Sequence, residues 1–147
     1  MDEKRRAGLA KMNEVYAWDM PNIEGDAFFD LTVEHLFGDI WTRPGLSMRD
    51  KRIMTLAVVT ALGQQDLAEI QVNAALENEE LTDAEVKEMA VFLTQYVGFP
   101  LASGLNGALG RVVAKRKKSA ASDHKADRKS NVNDAVRMHT GKNLGES

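Results

Sequence analysis

Apolar residues recur at intervals of three and four along most of the chain, and no long stretch alternates with a period of two. This spacing predicts amphipathic helices. The apolar side of the first predicted helix, residues 3–17, carries Leu9, Met12, Val15 and Tyr16. A second helix is predicted from Asp26, a suitable N-cap, to Phe37, with Gly38 closing its C-terminal end.

A turn and a strongly apolar helix follow. The Arg-Pro-Gly sequence at residues 43–45 predicts a turn, because Pro fixes φ and Gly tolerates positive φ. Ser47 and Asp50 then have the spacing of a capping box, so the third helix is predicted over residues 48–62. Its segment IMTLAVVTAL is apolar on nearly every face, which predicts burial all round. In so short a chain, we expect partner subunits to supply part of that burial.

Three more helices are predicted in the second half of the chain. The fourth covers residues 66–77 and is capped by its first residue, an Asp. A second capping box at residues 82–85 begins the fifth, which we expect to end at Gly98. Pro100 suits the start of the sixth, which ends in the basic run 115–118. The pattern therefore predicts an all-α fold of about six helices.

Charge separates the end of the chain from the rest. Residues 114–147 carry nine Lys/Arg against four Asp/Glu, although the whole chain has a formal net charge of −3. We expect a helical domain over residues 1–118 and a basic, flexible tail over 119–147, with a weak helical turn or two at 132–139. The basic run 115–118 lies at a helix C-terminus, where cations suit the dipole, and it lacks neighbouring aromatics. A nucleic-acid partner is therefore not favoured.

Composition excludes several chemistries. The chain has no Cys, so disulfides, thiolate metal sites and thiol peroxidase activity are ruled out. Its three His are scattered, no Gly-rich phosphate loop occurs, and no metal or organic cofactor is implied. No run of apolar residues is long enough to cross a membrane, and the N-terminus MDEKRRAGLAKMNE lacks the apolar core of a secretory signal. We expect the protein in the cytoplasm.

Two stretches carry a family resemblance. They read FGDIWTRPGLSMRDKRIMTLAVVTALG at residues 37–63 and LAEIQVNAALENEELTDAEVKEMAVFLTQYVGFP at residues 67–100. Both closely resemble the carboxymuconolactone decarboxylase family, and the similarity extends from about Gly8 to Val113. It implies an alkylhydroperoxidase-like helical bundle that assembles into a ring, typically a hexamer built as a trimer of dimers.

The resemblance implies one of two activities. One branch of the family decarboxylates 4-carboxymuconolactone in aromatic-acid catabolism, giving a β-ketoadipate enol-lactone. The other is similar to alkylhydroperoxidase and uses a Cys-x-x-Cys pair, which this chain lacks. The absence of Cys therefore excludes the peroxidase branch as chemistry and leaves the carboxy-lyase activity as the enzymatic one that the resemblance implies.

The fourth helix departs from the decarboxylase pattern. That pattern commonly reads LxLHVRAAL, with a His taken as the proton-transfer group. Gln71 stands where the His would be, and Asn73 stands where a basic residue often is, so both are candidate site residues. An amide can orient a carbonyl or carboxylate but cannot transfer protons near neutral pH. Because Gln71 lies on the apolar stripe, it either lines a site or bonds to another helix.

Other candidates come from the second helix, the turn and the fifth helix. Glu34 would act as general acid or base if burial raised its pKa. Otherwise it is a solvated carboxylate or forms an ion pair with Arg43, Arg49 or Arg52. Arg43 suits a substrate carboxylate and Trp41 an apolar wall, unless both only shape the turn. Tyr96 either donates to a ligand or is a core aromatic. His35 is expected at a subunit interface.

Two functions remain open. The first is an enzyme that acts on a small carboxylated lactone or related ring acid, with catalytic Glu34 and Gln71. Its substrate-binding residues would be Trp41, Arg43, Asn73 and Tyr96. The second is a catalytically silent homo-oligomer, a hexamer or trimer, that binds a small organic acid or scaffolds a partner.

Overall fold

The described part of the chain is entirely helical. The computed structural model describes residues 1–120 and 124–140, with seven helices and no strand in those ranges. The helices are α1 (Glu3–Tyr16), α2 (Ala27–Asp30, continued by a π-helix over Leu31–Ile40), α3 (Met48–Ala61), α4 (Gln65–Glu77), α5 (Asp83–Leu93), α6 (Phe99–Ser119) and α7 (His124–Thr140). None of these helices is both long and apolar enough to span a bilayer. The all-α prediction is confirmed.

The first helix packs closely against the π-helix. Its N-cap Asp2 accepts a hydrogen bond from the Arg5 backbone at 2.7 Å. A Cβ atom built on Gly8 would lie 2.1 Å from the Val33 carbonyl oxygen, so only glycine fits this crossing. The close approach lets Val15 and Val33 bury completely on the two sides of the contact.

The π-helix is a feature that the sequence analysis missed. Asp26 caps the helix as predicted, accepting from Phe28 and Phe29. The helix does not end at Gly38, however, because it continues to Ile40 with five-residue hydrogen bonding, and Trp41 N–H donates to the Leu36 carbonyl at 2.9 Å. The prediction of a Gly38 stop was wrong.

The next helices follow the predicted order with corrected ends. Ser47 caps α3 by accepting from Asp50 N–H, and the Thr82–Glu85 capping box of α5 has both of its hydrogen bonds. Helix α4 begins at Gln65 with Gln64 as N-cap, so the predicted Asp66 cap was wrong. Helix α5 ends at Leu93, five residues before Gly98.

Two hydrophobic clusters hold the fold together. One joins helices α3 to α6 and includes the buried Leu56, Val72, Val86 and Leu105. The other joins α1, the π-helix and α7 and includes Met12, Phe37 and Val132. Burial of apolar side chains in both clusters supplies the main favourable free energy of folding, at roughly 25 cal/mol per Å².

Helix α7 lies within the segment predicted to be a flexible tail. It runs over His124–Thr140, well beyond the turn or two of helix predicted at residues 132–139. Val132 and Ala135 are buried in the second cluster. Ser119 is the last residue of α6, and residues 121–123 and 141–147 of the predicted tail lie outside the described residues.

Candidate functional site

A buried arginine organises the polar atoms at the centre of the molecule. Arg52, on α3, is fully buried, and its Nε donates to Glu80 Oε1 at 2.7 Å. Its Nη2 donates to Glu80 Oε2 at 3.2 Å and also to the Val15 carbonyl, while Nη1 donates to Gln71 Oε1. The guanidinium group also lies 5.8 Å from the centre of the Trp41 ring. Glu80 belongs to the same chain, so this ion pair lies within one subunit.

The bond to Arg52 fixes the orientation of the Gln71 amide. A guanidinium group can only donate, so the atom of Gln71 that faces it must be the carbonyl oxygen. The Nε2 group, which carries two hydrogens, therefore points away from Arg52. It donates no hydrogen bond recorded in the described part of the chain. Gln71 is only 6% exposed. It is thus both bonded to another helix and available as a fixed donor.

Gln71 lines the large cavity of this part of the fold, which we call the main cavity. Its volume is about 490 Å³. The described residues that line it are Met12, Tyr16, Trp18, Met20, Asp26, Phe28, Phe29, Thr32, Thr55, Val59, Leu67, Ile70, Gln71, Ala135 and Val136. Most of this surface is apolar, which suits the body of a small organic ligand, with few polar groups to orient it.

Tyr16 supplies a second polar group on the main cavity. Burial raises the pKa of its phenol, and the nearby positive charge of Arg52 opposes that rise only in part. The hydroxyl is therefore protonated at neutral pH and can donate a hydrogen bond. It makes no hydrogen bond recorded among the described residues, so it remains available to a ligand.

A left-handed residue at the end of α1 brings two aromatic rings to this cavity. Ala17 has φ of 52°, and Trp18 N–H donates back to the Asn13 carbonyl at 3.2 Å. The turn places the Tyr16 and Trp18 rings 4.5 Å apart. A non-glycine residue in this conformation costs about 1 kcal/mol or more, which the buried packing of the two rings offsets.

Arg43 and Trp41 lie together at a different cavity, which we call the side cleft. It has a volume of about 440 Å³ and is lined by Ile40, Trp41, Arg43, Gly45, Leu46, Lys51, Met54 and Thr55. Lys51 Nζ stabilises its rim by donating to the carbonyls of Trp41 at 2.8 Å and Arg43 at 2.6 Å. Thr55 lines both the side cleft and the main cavity.

The remaining predicted residues lie elsewhere. Glu34 is half-exposed and forms an ion pair with Arg5 at 3.3 Å, and it is not among the described residues that line the main cavity. Asn73 lines a pocket of about 40 Å³ beside Tyr16. Tyr96 is 76% exposed and its ring lies 5.1 Å from that of Phe92. Within one chain, the structure therefore does not bring Glu34, Arg43, Gln71 and Tyr96 to one cavity.

Sequence reasoning missed Tyr16 and Arg52 as parts of the site. The apolar stripe of α1 included Tyr16, and a tyrosine on a buried stripe was a usable signal, because its hydroxyl needs a partner or a cavity. Arg52 gave no such signal, since the carboxylate that neutralises it lies 28 residues away on the connection before α5.

A cysteine-free, all-helical domain with an apolar cavity and a fixed amide donor is compatible with a small-molecule enzyme or a binding protein. The sequence profile described as the carboxymuconolactone decarboxylase family matches residues 26–109, which is more than half of the chain. The chain therefore belongs to that family, and the predicted resemblance is confirmed.

One similar curated protein is the 4-carboxymuconolactone decarboxylase of Acinetobacter baylyi (strain ATCC 33305 / BD413 / ADP1). It is 34% identical over 64 residues, which cover 44% of this chain and 47% of that protein. The chain thus matches about half the length of this relative. No solved structure shows a significant match.

Proposed function

We propose that this protein is a decarboxylase that acts on a small carboxylated lactone or related ring acid bound in the main cavity. Membership of the carboxymuconolactone decarboxylase family and the name of the Acinetobacter relative support the reaction type. The observation that carries the proposal is the Gln71 amide, which Arg52 fixes with its donor hydrogens left available at an apolar cavity.

The reaction needs a place for negative charge. When the bond between the ring carbon and its carboxylate breaks, carbon dioxide leaves, and the electron pair moves through the conjugated double bond onto the lactone carbonyl oxygen. Gln71 Nε2 and the Tyr16 hydroxyl are the two donors that would bind this oxyanion. Fixed donors stabilise such charge without reorganising, and one of them is typically worth about 10²–10³ in kcat.

To give the enol-lactone, a proton must then be added to the ring carbon next to the lactone carbonyl, while the carbon that lost its carboxylate keeps the new double bond. Gln71 cannot supply it, but the Tyr16 hydroxyl can, because burial keeps it protonated. Solvent then returns the proton to Tyr16. Tyr16 thus takes the acid role that the sequence analysis gave to Glu34, whose carboxylate is paired with Arg5.

Arg43 would contact a second carboxylate on the ligand. Because Thr55 lines both the main cavity and the side cleft, a ligand that extends past Thr55 would meet Arg43 and the Trp41 ring. No ion pair of Arg43 is recorded within the described residues, so its charge is available for that contact.

Assembly into a homo-oligomer is part of the proposal. Several large apolar side chains on α3 and at the junction of α5 and α6 are exposed in one chain, among them Val58, Phe92 and Phe99. Exposed apolar surface of this kind is typical of a subunit interface. A ring of three or six copies is the arrangement that we expect.

The test is to incubate the purified protein with 4-carboxymuconolactone and measure carbon dioxide release together with the loss of substrate. We expect turnover by the wild type and a loss of about 10²-fold in Tyr16→Phe, because one oxyanion donor and the proton source are removed. Tyr96→Phe makes the same change on the surface and should leave turnover within twofold. An equal loss in Tyr96→Phe would instead support the ligand contact predicted from the sequence.

A second function is favoured by one specific observation. Gln71 occupies the position where the family resemblance leads us to expect a proton-transferring His, and an amide cannot do that work. A silent protein that binds a small ring acid would show saturable binding by calorimetry with no carbon dioxide release. That combination of results would overturn the decarboxylase proposal and leave the binding protein.

A further inference from the structure

The C-terminal helix forms one wall of the main cavity although it lies outside the family-matched segment. Residues 26–109 match the family, whereas α7 covers His124–Thr140. Ala135 and Val136 from α7 are among the residues that line the main cavity. This wall is therefore built by a part of the chain that the family match does not include.

The apolar face of α7 is narrow and is directed at the cavity. Val132 and Ala135 are buried, and the partly buried Val136 packs against the same cluster. These positions have the three- and four-residue spacing of one helix face. Two of the three residues on this face line the cavity, and both are small. Their side-chain volume therefore limits the space for a ligand on this side.

Polar contacts fix α7 in position on both sides of this face. Arg128 donates to the Trp18 carbonyl at 2.7 Å and the Asn13 carbonyl at 3.3 Å, and its Nε lies 3.1 Å from Asp19 Oδ1. These contacts hold α7 against the segment that carries the Tyr16 and Trp18 walls. A rigid wall excludes ligands that are too large, whereas a mobile wall would move to accommodate them.

Further down α7, the position is fixed by a lysine from α6. Lys115 Nζ donates to Asp134 Oδ2 at 2.5 Å and to Asn131 Oδ1 at 3.0 Å. Asp134 directly precedes the two lining residues in the sequence. The contact therefore fixes the position of Ala135 and Val136 relative to the rest of the main cavity.

We propose that α7 is the specificity wall of the main cavity, and that Ala135 and Val136 determine how large a ring acid can bind. This proposal rests on the proposed function only in taking the main cavity as the ligand site. The ligand class is a ring carboxylic acid. The wall would favour acids with a single ring over acids with two fused rings. Adding bulk at residue 136 should therefore penalise the larger acid more than the smaller one.

The experiment uses the full chain and three probes of graded size: furan-2-carboxylate, benzoate and 2-naphthoate. Calorimetric affinities are measured for the wild type, Val136→Phe and Val136→Ala. We expect Val136→Phe to weaken 2-naphthoate at least tenfold while furan-2-carboxylate changes less than threefold, since even one extra methylene in an apolar pocket is worth about 10–200-fold. Val136→Ala should keep or improve the binding of 2-naphthoate.

Controls separate a size effect from a general loss of structure. Lys129→Leu changes a residue of α7 that is exposed and does not line the main cavity, and it should leave all three affinities within twofold. Each variant is checked by thermal melting, and Val136→Leu, which adds one methylene, replaces Val136→Phe if the latter does not fold. Equal changes for the three acids, or no change, would overturn the proposal. The same holds if the wild type binds none of them.

The probes also keep this proposal separate from the decarboxylase proposal. None of the three acids carries a carboxylate that is activated for loss of carbon dioxide under the assay conditions. If 4-carboxymuconolactone is not turned over but the size preference responds to residue 136, the decarboxylase proposal fails and the specificity wall stands. If turnover is seen but residue 136 has no effect on size preference, the reverse holds.

Discussion

Arg52 links the stability of the core to the orientation of the site. Its guanidinium group bonds to Glu80, Gln71 and the Val15 carbonyl at once, so no buried charge or amide oxygen in this group lacks a partner. Replacing both residues of a buried ion pair by apolar residues often changes the free energy of unfolding little. Replacing only one of them leaves a buried charge without a partner and destabilises the fold. The pair is therefore best tested by comparing single and double variants.

We expect Arg52→Met to lower the free energy of unfolding by about 3–5 kcal/mol, because Glu80 is then buried without its partner. The double variant Arg52→Met/Glu80→Leu should recover most of that loss. Urea denaturation followed by circular dichroism measures both values. If the double variant is as unstable as the single one, the ion pair with Glu80 is not the main contribution of Arg52.

Gln71→Glu removes the hydrogen-bond donor of the residue 71 side chain and keeps the acceptor that bonds to Arg52. A carboxylate at residue 71 can still accept from Arg52, but it presents no donor to the main cavity. We expect turnover of 4-carboxymuconolactone to fall by about 10²–10³, with a smaller change in KM, because the lost bond is made mainly to the developing oxyanion. Steady-state kinetics give both constants, and a rise in KM at unchanged kcat would show that Gln71 only binds the ground state.

The raised pKa of Tyr16 makes stability depend on alkaline pH. Below the ordinary value near 10 both the folded and unfolded chains keep the phenolic proton, so stability is unaffected. Above it the unfolded chain loses the proton first, and stability falls until the pH passes the raised pKa of the folded state. Tyr16→Phe should show a smaller decline than the wild type between pH 9 and about 11. Parallel curves for the two proteins in urea denaturation would contradict the burial of this group.

At the scale of single elements, the crossing of α1 and the π-helix depends on Gly8. A Cβ atom there would lie 2.1 Å from the Val33 carbonyl oxygen, and a backbone atom cannot move aside cheaply. We expect Gly8→Ala to lower the unfolding free energy by about 3 kcal/mol, at the upper end of overpacking costs. The measurement is urea denaturation at neutral pH.

Gly110→Ala, in α6, is the matched control for Gly8→Ala. Gly110 lies inside α6 with no atom within 4 Å of an added Cβ, and its φ is not positive. Alanine should therefore raise the unfolding free energy by about 0.5–1 kcal/mol through helix propensity alone. A similar loss in both variants would show that the Val33 contact is not responsible for the Gly8 effect.

The sequence predicted helices where local signals suffice. The Thr82–Glu85 box and the Ser47 cap are complete within four residues, and both were found in the structure. The extension of α2 through Gly38 as a π-helix could not be predicted, because packing against α1 overrides the local preference of glycine for a helix end. Helix α7 was underestimated since few of its residues are apolar, and its burial depends on contacts with the end of α1.

The candidate site was predictable only in part for the same reason. Helical spacing placed Gln71 on the buried side of α4, and that position is at the cavity. The ion pair of Glu34 with Arg5 joins residues 29 positions apart, and no local pattern indicates it. The sequence placed Tyr16 on the apolar stripe of α1. That Tyr16 and Gln71 line the same cavity follows only from the packing of α1 against α4.

At the scale of the whole molecule, α3 presents a stripe of exposed apolar side chains. The sequence predicts this helix to be buried all round, with partner subunits supplying part of that burial, and within one chain one side of the helix stays exposed. Met54, Val58 and Leu62 are 58%, 57% and 67% exposed, and they follow each other at four-residue spacing as one stripe. Such a stripe is costly to leave in water and is the surface that we expect to pair with another copy of the chain.

Val58→Glu tests this pairing at the centre of the stripe. A carboxylate there would be exposed and harmless in the monomer, but it would be buried without a partner in an oligomer, which is strongly unfavourable. We expect the wild type to sediment as a trimer or hexamer, and Val58→Glu to shift to smaller species at the same concentration, with an unchanged circular dichroism spectrum. Ala84→Glu adds the same charge at an exposed position in the first turn of α5 and should leave the assembly intact. A monomeric wild type, or a variant that sediments like the wild type, would show that the α3 stripe is not a subunit interface.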